Sequence, residues 1–273
     1  MTTVVRFSSL GDVVLAGSLC PALAPVTFVT LERYAPLVRH FHGVEAVLTP
    51  SQGLAALRRA LPPGPVVDLH GSLRSRMLPA DRRVQSHRLA RWARVAWKHS
   101  SPVPTVLQRY AEAAGVQPSR APWCELPADR GGALGIAAGG SAATKVWPHF
   151  AQLAAAWSGP LISLGLPGEE VAGTEPCTER GFDATLAALA RCRLFVGGDT
   201  GLTHLAHACG LPTLMLMGPT HADDGFWSGP QLGLELSCRP CSRHGGPVCP
   251  LGDHACLRDL TVEAVLRSLN ELS

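Results

Sequence analysis

The stretch FVGGDTGLTHLAHACGLPTLMLMGPT, Phe195 to Thr220, constrains the fold more than any other part of the chain. It reads as a buried strand, a glycine-rich turn, a helix and a second buried strand, which is a βαβ unit of the nucleotide-binding kind. A parallel strand ending in Gly197-Gly198-Asp199-Thr200-Gly201 aims backbone N–H groups and the positive end of the next helix at whatever lies above the turn. That arrangement suits a phosphate or diphosphate. A carboxylate is poorly placed to bind phosphate, so Asp199 has two readings: it meets a hydroxyl, as on a sugar attached to the diphosphate, or it caps the helix starting near Leu202.

The N-terminus repeats this grammar. Thr3 to Phe7 reads as a strand, Ser8-Ser9-Leu10-Gly11-Asp12 as a turn, and Val13 to Ala24 as a helix that Pro25 ends. Ser8 or Ser9 can cap, Gly11 lets the backbone turn closely, and Asp12 falls in the first helical turn, where the macrodipole favours its anionic form. An ionised carboxylate at the C-terminal edge of a strand is positioned to act as a general base; as the plain alternative, it stabilises its helix and nothing more.

Alternation of strand and helix runs through the whole chain, which calls for α/β structure with parallel sheets covered on both faces. Strands are expected at Thr3–Phe7, Val26–Thr30, Val44–Leu48, Pro65–Leu69, Ala133–Ala137, Pro160–Leu164, Leu194–Val196 and Thr213–Met217. Helices are expected at Ser51–Ala60, Thr105–Ala114, Phe150–Ser158, Phe182–Arg191 and Thr261–Leu272. The 273 residues suffice for two domains. The segment Gln117 to Gly132, with three prolines and a Gly-Gly pair, is the natural linker, dividing the chain into domains 1–125 and 126–273.

Composition narrows the function classes. No run of 18 uncharged apolar residues is present, and the N-terminus enters a strand where a secretion signal would need an apolar h-region, so a cytoplasmic address is expected. Net charge is +3, yet ten Arg or Lys residues lie between Leu54 and Lys98 against Asp68 and Asp81 alone. Arginines interleaved with Trp92 and Trp97 suit an anionic acceptor or a headgroup surface, or form a merely solvated basic face. Nucleic acid is not expected: there is no helix-turn-helix, RNA-binding aromatic signature or finger pattern. The loop Ala138-Gly139-Gly140-Ser141-Ala142-Ala143-Thr144-Lys145 lacks the spacing of a Walker A loop. Close backbone approach and one ammonium can still hold a diphosphate there; otherwise Lys145 is an exposed loop lysine.

The pieces VVRFSSLGDVVLAGSL, VVDLHGSLRS, ATKVWP, FVGGDTGLTHLAHACGLPTLMLMGPT and CRPCSRHGGPVCPLGDHACLRDLTVEAVL, in that order, resemble the motifs of the ADP-heptose:lipopolysaccharide heptosyltransferases, glycosyltransferase family 9. The resemblance implies a GT-B architecture of two Rossmann-like domains, the first binding the acceptor and the second the nucleotide sugar, with the C-terminal helix crossing back onto the first. By motif it implies Asp12 as catalytic base, Lys145 on the leaving diphosphate, and donor binding by Thr144, Glu169, Asp199, Thr200, Gly201, Leu202 and His204, with Glu170 competing with Glu169 for the ribose. It places Ser9, Gly11, Arg58, Arg59, Arg74 and Arg76 at the acceptor.

The implied reaction is inverting transfer of heptose from ADP-heptose to a lipid-linked, anionic lipopolysaccharide-core acceptor, without cofactor or metal, at the cytoplasmic face of the inner membrane. In keeping with that, there is no Asp-x-Asp pair, and Asp223-Asp224 are adjacent. Cys238, Cys241, Cys249 and Cys256, near His244 and His254, leave two readings: structural zinc, or reduced cysteines packed in a loop. The rival functions are a GT-B transferase using another nucleotide sugar and a catalytically silent nucleotide-sugar sensor.

Overall fold

The computed structural model describes residues 1–97, 103–127, 131–178, 181–220 and 229–272. The chain forms two compact units. The first comprises Met1–Ser86, Pro104–Glu125 and Ala208–Gly210; the second comprises His87–Val103, Leu126–His207 and Leu211–Ser273. A boundary thus falls at Glu125–Leu126, inside the proline-rich segment, but the division is not a single cut, because the segment from His87 goes with the second unit.

The first unit is built on a parallel sheet of β1 (Thr2–Val5), β2 (Val26–Val29), β3 (Val44–Leu48), β4 (Val66–Asp68) and β5 (Arg82–Arg83), in the order β3-β2-β1-β4-β5. Every residue of β2 and β4 is buried, as strands covered on both faces require. The order reverses between β1 and β4, where Val5 pairs with Asp68, and ligands of open α/β sheets bind at such switch points beyond the strands' C-terminal ends.

The expected helix Val13 to Ala24 is two: Leu10–Gly17 and Cys20–Leu23. Pro21 supplies the reason. Its ring would clash with the carbonyl of Gly17 in a continuous helix, and it has no N–H to give. Helix Val106–Ala114 also belongs to this unit; a reciprocal capping box of Thr105 and Gln108 starts it, and Gly115 ends it in the left-handed region at φ 71°.

The second unit carries a parallel sheet of β6 (Ala133–Ala137), β7 (Leu161–Gly165), β8 (Glu175–Thr178), β9 (Cys192–Gly198), β10 (Thr213–Leu216) and β11 (Gln231–Leu232), in the order β11-β10-β9-β6-β7-β8. Its switch point lies between β6 and β9. Leu134, Ile136, Leu194, Val196, Leu214 and Leu216 point to one face and build a core with Trp147, Phe150, Leu153 and Leu257. Val265 and Leu269 of the C-terminal helix, Val262–Glu271, sit in this second core.

The strands that sequence reading passed over, β5, β8 and β11, are all at sheet edges. Two are only two residues long, and β8 carries Pro176. Short, charged or proline-bearing strands give no period-2 pattern, and they are also what protects an edge from further pairing.

Candidate active site

At the first switch point, Asp12 stands one turn into the helix that follows β1. Ser9 has the extended backbone of an N-cap but does not cap; its hydroxyl donates to Asp12 Oδ2 at 2.8 Å. Arg6 Nη2 meets the same oxygen at 2.7 Å, and the Tyr110 hydroxyl donates to Oδ1 at 3.0 Å. The Arg6 guanidinium also stacks over the Tyr110 ring at 5.7 Å and donates to the Leu69 carbonyl at 2.7 Å.

Burial alone would raise the Asp12 pKa, but Arg6 and the Ser9 and Tyr110 hydroxyls outweigh it and hold the carboxyl below its usual range. Oδ2 takes both Ser9 and Arg6, whereas Oδ1 takes Tyr110, and the Ser9 backbone N–H also bears on the carboxylate. With its side chain 18% exposed, the group is reachable. Beside it, at the end of β4, the His70 ring packs edge-on to Phe7 at 5.2 Å, and Arg74 lies over the same Phe7 ring at 5.2 Å. Burial, then Arg6, hold His70 below the ordinary histidine pKa, so it is neutral at neutral pH.

At the second switch point, Lys145, in the loop after β6, and Asp199, at the end of β9, form a buried ion pair. Lys145 Nζ lies 2.6 Å from Asp199 Oδ2 and 3.2 Å from the Asp199 carbonyl oxygen, and each residue is only 8% exposed. Thr220 donates to Oδ2 at 3.3 Å, and His204 Nε2 stands 3.7 Å from Oδ1. Burial pushes the Asp199 pKa up, but His204 and the Lys145 ammonium more than reverse this, leaving the carboxyl far below its ordinary value. Glycine at position 198 permits the approach: a Cβ there would lie 2.7 Å from the Lys145 carbonyl oxygen.

Asp199 does not cap helix Gly201–Ala208. Thr200 takes that part, its carbonyl accepting from the His204 N–H and its hydroxyl lying 3.2 Å from that of Thr203. Among the described residues two of the three Lys145 ammonium N–H groups have acceptors, and the positive end of the helix suits an anion.

The profile of glycosyltransferase family 9 (heptosyltransferase) matches residues 108–231, a span holding both Lys145 and Asp199 with the glycine-rich turn. Over that span, a little under half of its length, the chain is similar to glycosyltransferase family 9. Lipooligosaccharide heptosyltransferase 2 of Campylobacter jejuni subsp. jejuni is 29% identical over 101 residues, covering 36% of this chain and 31% of that protein. The match therefore spans less than a third of that relative. Among solved structures, a glycosyl transferase family 9 protein from Veillonella parvula superposes with a TM-score of 0.73 at 19% identity, covering 99% of this chain and 96% of its own. E. coli ADP-heptose lps heptosyltransferase II gives 0.71 at 20% identity, covering 99% and 98%. At these identities the likeness establishes the fold, two parallel-sheet α/β units of the GT-B class.

The remaining residues singled out from family 9 motifs scatter more widely. Glu169 packs its carboxylate against Gly139 and Gly165, at the ends of β6 and β7, where a side chain on Gly139 would collide with it. Glu170 turns to the Gly168 N–H and the Thr178 hydroxyl, toward the β8 edge. Thr144 is committed to the cysteine-bearing loop: its hydroxyl donates to the Gly246 carbonyl at 3.0 Å and accepts from the Gly246 N–H at 2.8 Å. Arg58 and Arg59 stand exposed on the last turn of helix Leu54–Ala60, and Arg76 is exposed on a short 3-10 turn, whereas Arg74 reaches Phe7 beside Asp12.

Cys238, Cys241, Cys249 and Cys256 are all free thiols, and Cys256 is pushed up to about 11 by burial and then by its three sulfur neighbours. Among the described residues, no three His, Cys, Asp or Glu side chains are arranged to hold a metal ion. Asp223 and Asp224 lie outside the described residues.

Sequence reading missed Arg6, His70 and Tyr110. Arg6 had a faint signal, a charge closing an apolar strand just before the turn. Tyr110 had none, because nothing local in its helix announces that its hydroxyl meets a residue 98 positions earlier.

The lowered Asp12 pKa has a kinetic consequence. The group is ionised throughout the neutral range, so the acid limb of kcat/KM is expected below about pH 4, with a plateau between about pH 5 and 8 as far as this group is concerned. A pH-rate series with wild-type protein checks it; an apparent ionisation near pH 6 that Asp12→Asn abolishes would contradict the lowered pKa.

Proposed function

We propose that the protein is an inverting glycosyltransferase that moves heptose from ADP-heptose to a lipopolysaccharide-core acceptor, Kdo-lipid A or an already heptosylated core, with Asp12 as general base. The observation that carries this reading is the convergence of Lys145 and Asp199, 54 residues apart, at the switch point below the N-terminus of helix Gly201–Ala208. The family, and the ADP-heptose and lps named for the similar E. coli enzyme, supply the donor and acceptor classes.

In this account the second unit grips the donor. Lys145 and the backbone N–H groups of Thr200, Gly201 and Leu202 meet the diphosphate, Asp199 and His204 face the sugar, and Glu169 takes the ribose. The first unit supplies the base. A carboxylate as weakly basic as Asp12 does not ionise a sugar hydroxyl beforehand; it accepts the proton while the bond between the anomeric carbon and the diphosphate oxygen is already breaking. The acceptor oxygen forms its bond to that carbon from the opposite face, the proton ends on Asp12 Oδ1, and ADP departs with the bonding pair. Charge growing on the diphosphate meets donors already in place, a contribution of about 3 kcal/mol for one such group.

A donor screen by thermal shift tests the assignment. ADP-heptose is expected to raise Tm more than UDP- or GDP-sugars at equal concentration; a larger shift with a UDP-sugar would transfer the reading to another glycan.

The same proposal places the protein at a membrane surface. Among the described residues no helix is long and apolar enough to cross a bilayer. Helix Arg88–Trp97, however, turns an apolar stripe to solvent: Leu89, Trp92, Ala93 and Ala96 recur at helical spacing, and Leu89, Trp92 and Trp97 are 83%, 53% and 66% exposed. Indoles favour the headgroup layer, and an arginine-rich segment favours anionic lipid. Sedimentation with anionic vesicles should be strong at low salt, fall as salt rises, and weaken at least tenfold in Trp92→Ala/Trp97→Ala; equal binding to zwitterionic vesicles, or none at low salt, would remove the membrane contact from the account.

A further inference from the structure

Among the described residues, the first unit holds a buried guanidinium that its neighbours satisfy only in part. Arg109 is 7% exposed and lies within the field of Asp12 and Glu112, yet among the described residues its guanidinium's only hydrogen bond runs from Nη1 to the Gln85 carbonyl at a long 3.4 Å, and its Nε has no partner. Nearby guanidiniums are treated differently. Arg83 pairs with Asp68 at 2.6 Å and donates to the Leu78 carbonyl at 2.8 Å; Arg6, whose Nε also has no partner among the described residues, has Asp12 and Leu69 on its Nη groups. A guanidinium offers five N–H donors and does not shed its proton in a protein, so a buried, nearly unpaired one is a standing demand for an anion.

Its place says which anion. Arg109 precedes Tyr110, whose hydroxyl holds Asp12, on a helix fixed at both ends by its caps. Gln85 lies just beyond β5, at the same C-terminal sheet edge that carries Asp12 after β1 and His70 after β4. Two strand spacings, about 10 Å, separate the ends of β1 and β5, which is the span of one sugar residue and its neighbour.

We infer that Arg109 is the specificity-determining residue of the acceptor site, its fork receiving an acidic group, carboxylate or phosphate, on the glycan whose hydroxyl is presented to Asp12. The inference rests on the transferase reading for its occupant. It moves the anion contact from the exposed Arg58 and Arg59 to a buried group, where a planar fork binds an oxyanion in two-point fashion with little competition from water.

Calorimetry with saturating ADP present, to occupy the diphosphate site, separates the two sources of the anion: inorganic phosphate in one arm, glucuronate in the other, glucose as neutral control. One anion is expected to bind saturably, glucose not at all, and Arg109→Met to weaken the anion at least tenfold with ADP affinity and circular dichroism unchanged. Failure of ADP to bind would count against the transferase reading while leaving the dependence on Arg109 readable. Turnover adds a readout that a structural role would not move: Arg109→Met should raise KM at least tenfold for an acidic acceptor and leave it unchanged for the same acceptor with its acid removed. Should the variant not fold, wild-type crystals soaked with the binding anion decide. Density within hydrogen-bonding distance of the Arg109 fork supports the inference; an anion bound elsewhere, no saturable binding in either arm, or equal affinity in a folded Arg109→Met protein overturns it.

Discussion

Asp12→Asn is expected to lower kcat by about 10²- to 10⁴-fold while leaving ADP affinity and the fold intact, the range expected for loss of a positioned general base. The replacement keeps the shape of the carboxylate and one of its acceptor positions. It removes the charge that balances Arg6 and turns one acceptor oxygen into a donor amide. Arg6 and Asp12 are only 13% and 18% exposed, so the expected stability cost is about 2 kcal/mol, that of weakening hydrogen bonds to a charged group. A parallel loss of Tm and activity would instead assign Asp12 the role of helix stabiliser. Comparing kcat, acceptor KM and ADP affinity in the same protein separates the two roles.

Lys145→Met is expected to be the most damaging single change to stability. Lys145 and Asp199 are buried together, and removing one partner of such a pair leaves a charge with no counterion, at a cost of about 3–5 kcal/mol. The pH dependence gives this prediction a signature. In the wild type the Asp199 pKa is depressed on folding, so its contribution to stability is complete above the unfolded value of about 4 and is lost as pH falls toward the folded one. Without Lys145 the carboxyl keeps His204 but loses the ammonium, so its folded pKa rises from the depressed value and its contribution to stability at neutral pH shrinks.

Lys145→Met/Asp199→Asn should recover most of the lost stability, because both charges are then gone, and recover none of the turnover. If Lys145→Met unfolds at the same denaturant concentration as wild type at neutral pH, the ion pair is not the structural element described here.

The two sites were legible in the sequence for a physical reason. A parallel strand followed by Gly-Asp or Gly-Gly-Asp and a helix puts its functional side chain at the strand's C-terminal edge whatever the rest of the fold does, so Asp12 and Asp199 could be read locally. Lys145 followed because its loop also closes a strand. What remained hidden depends on topology: only the order β3-β2-β1-β4-β5 brings Arg6, His70 and Asp12 together, and only the capped helix after Thr105 delivers Tyr110 to them. The broken helix at Pro21 was readable in principle, since proline at that position conflicts with a continuous Val13–Ala24 helix. The fate of Thr144 was not, because a buried threonine tied to Gly246, 102 residues away, has the same local sequence as one that waits for a ligand.

The most direct test of the central claim is acceptor-dependent release of ADP from ADP-heptose, measured with heptose-free Kdo-lipid A and with a heptosylated core, in wild type and in Asp12→Asn. The account predicts release that requires one of these acceptors and falls at least a hundredfold in the variant. Release that is independent of acceptor, or unchanged by the substitution, would contradict the assignment of Asp12 as the base of a glycosyl transfer.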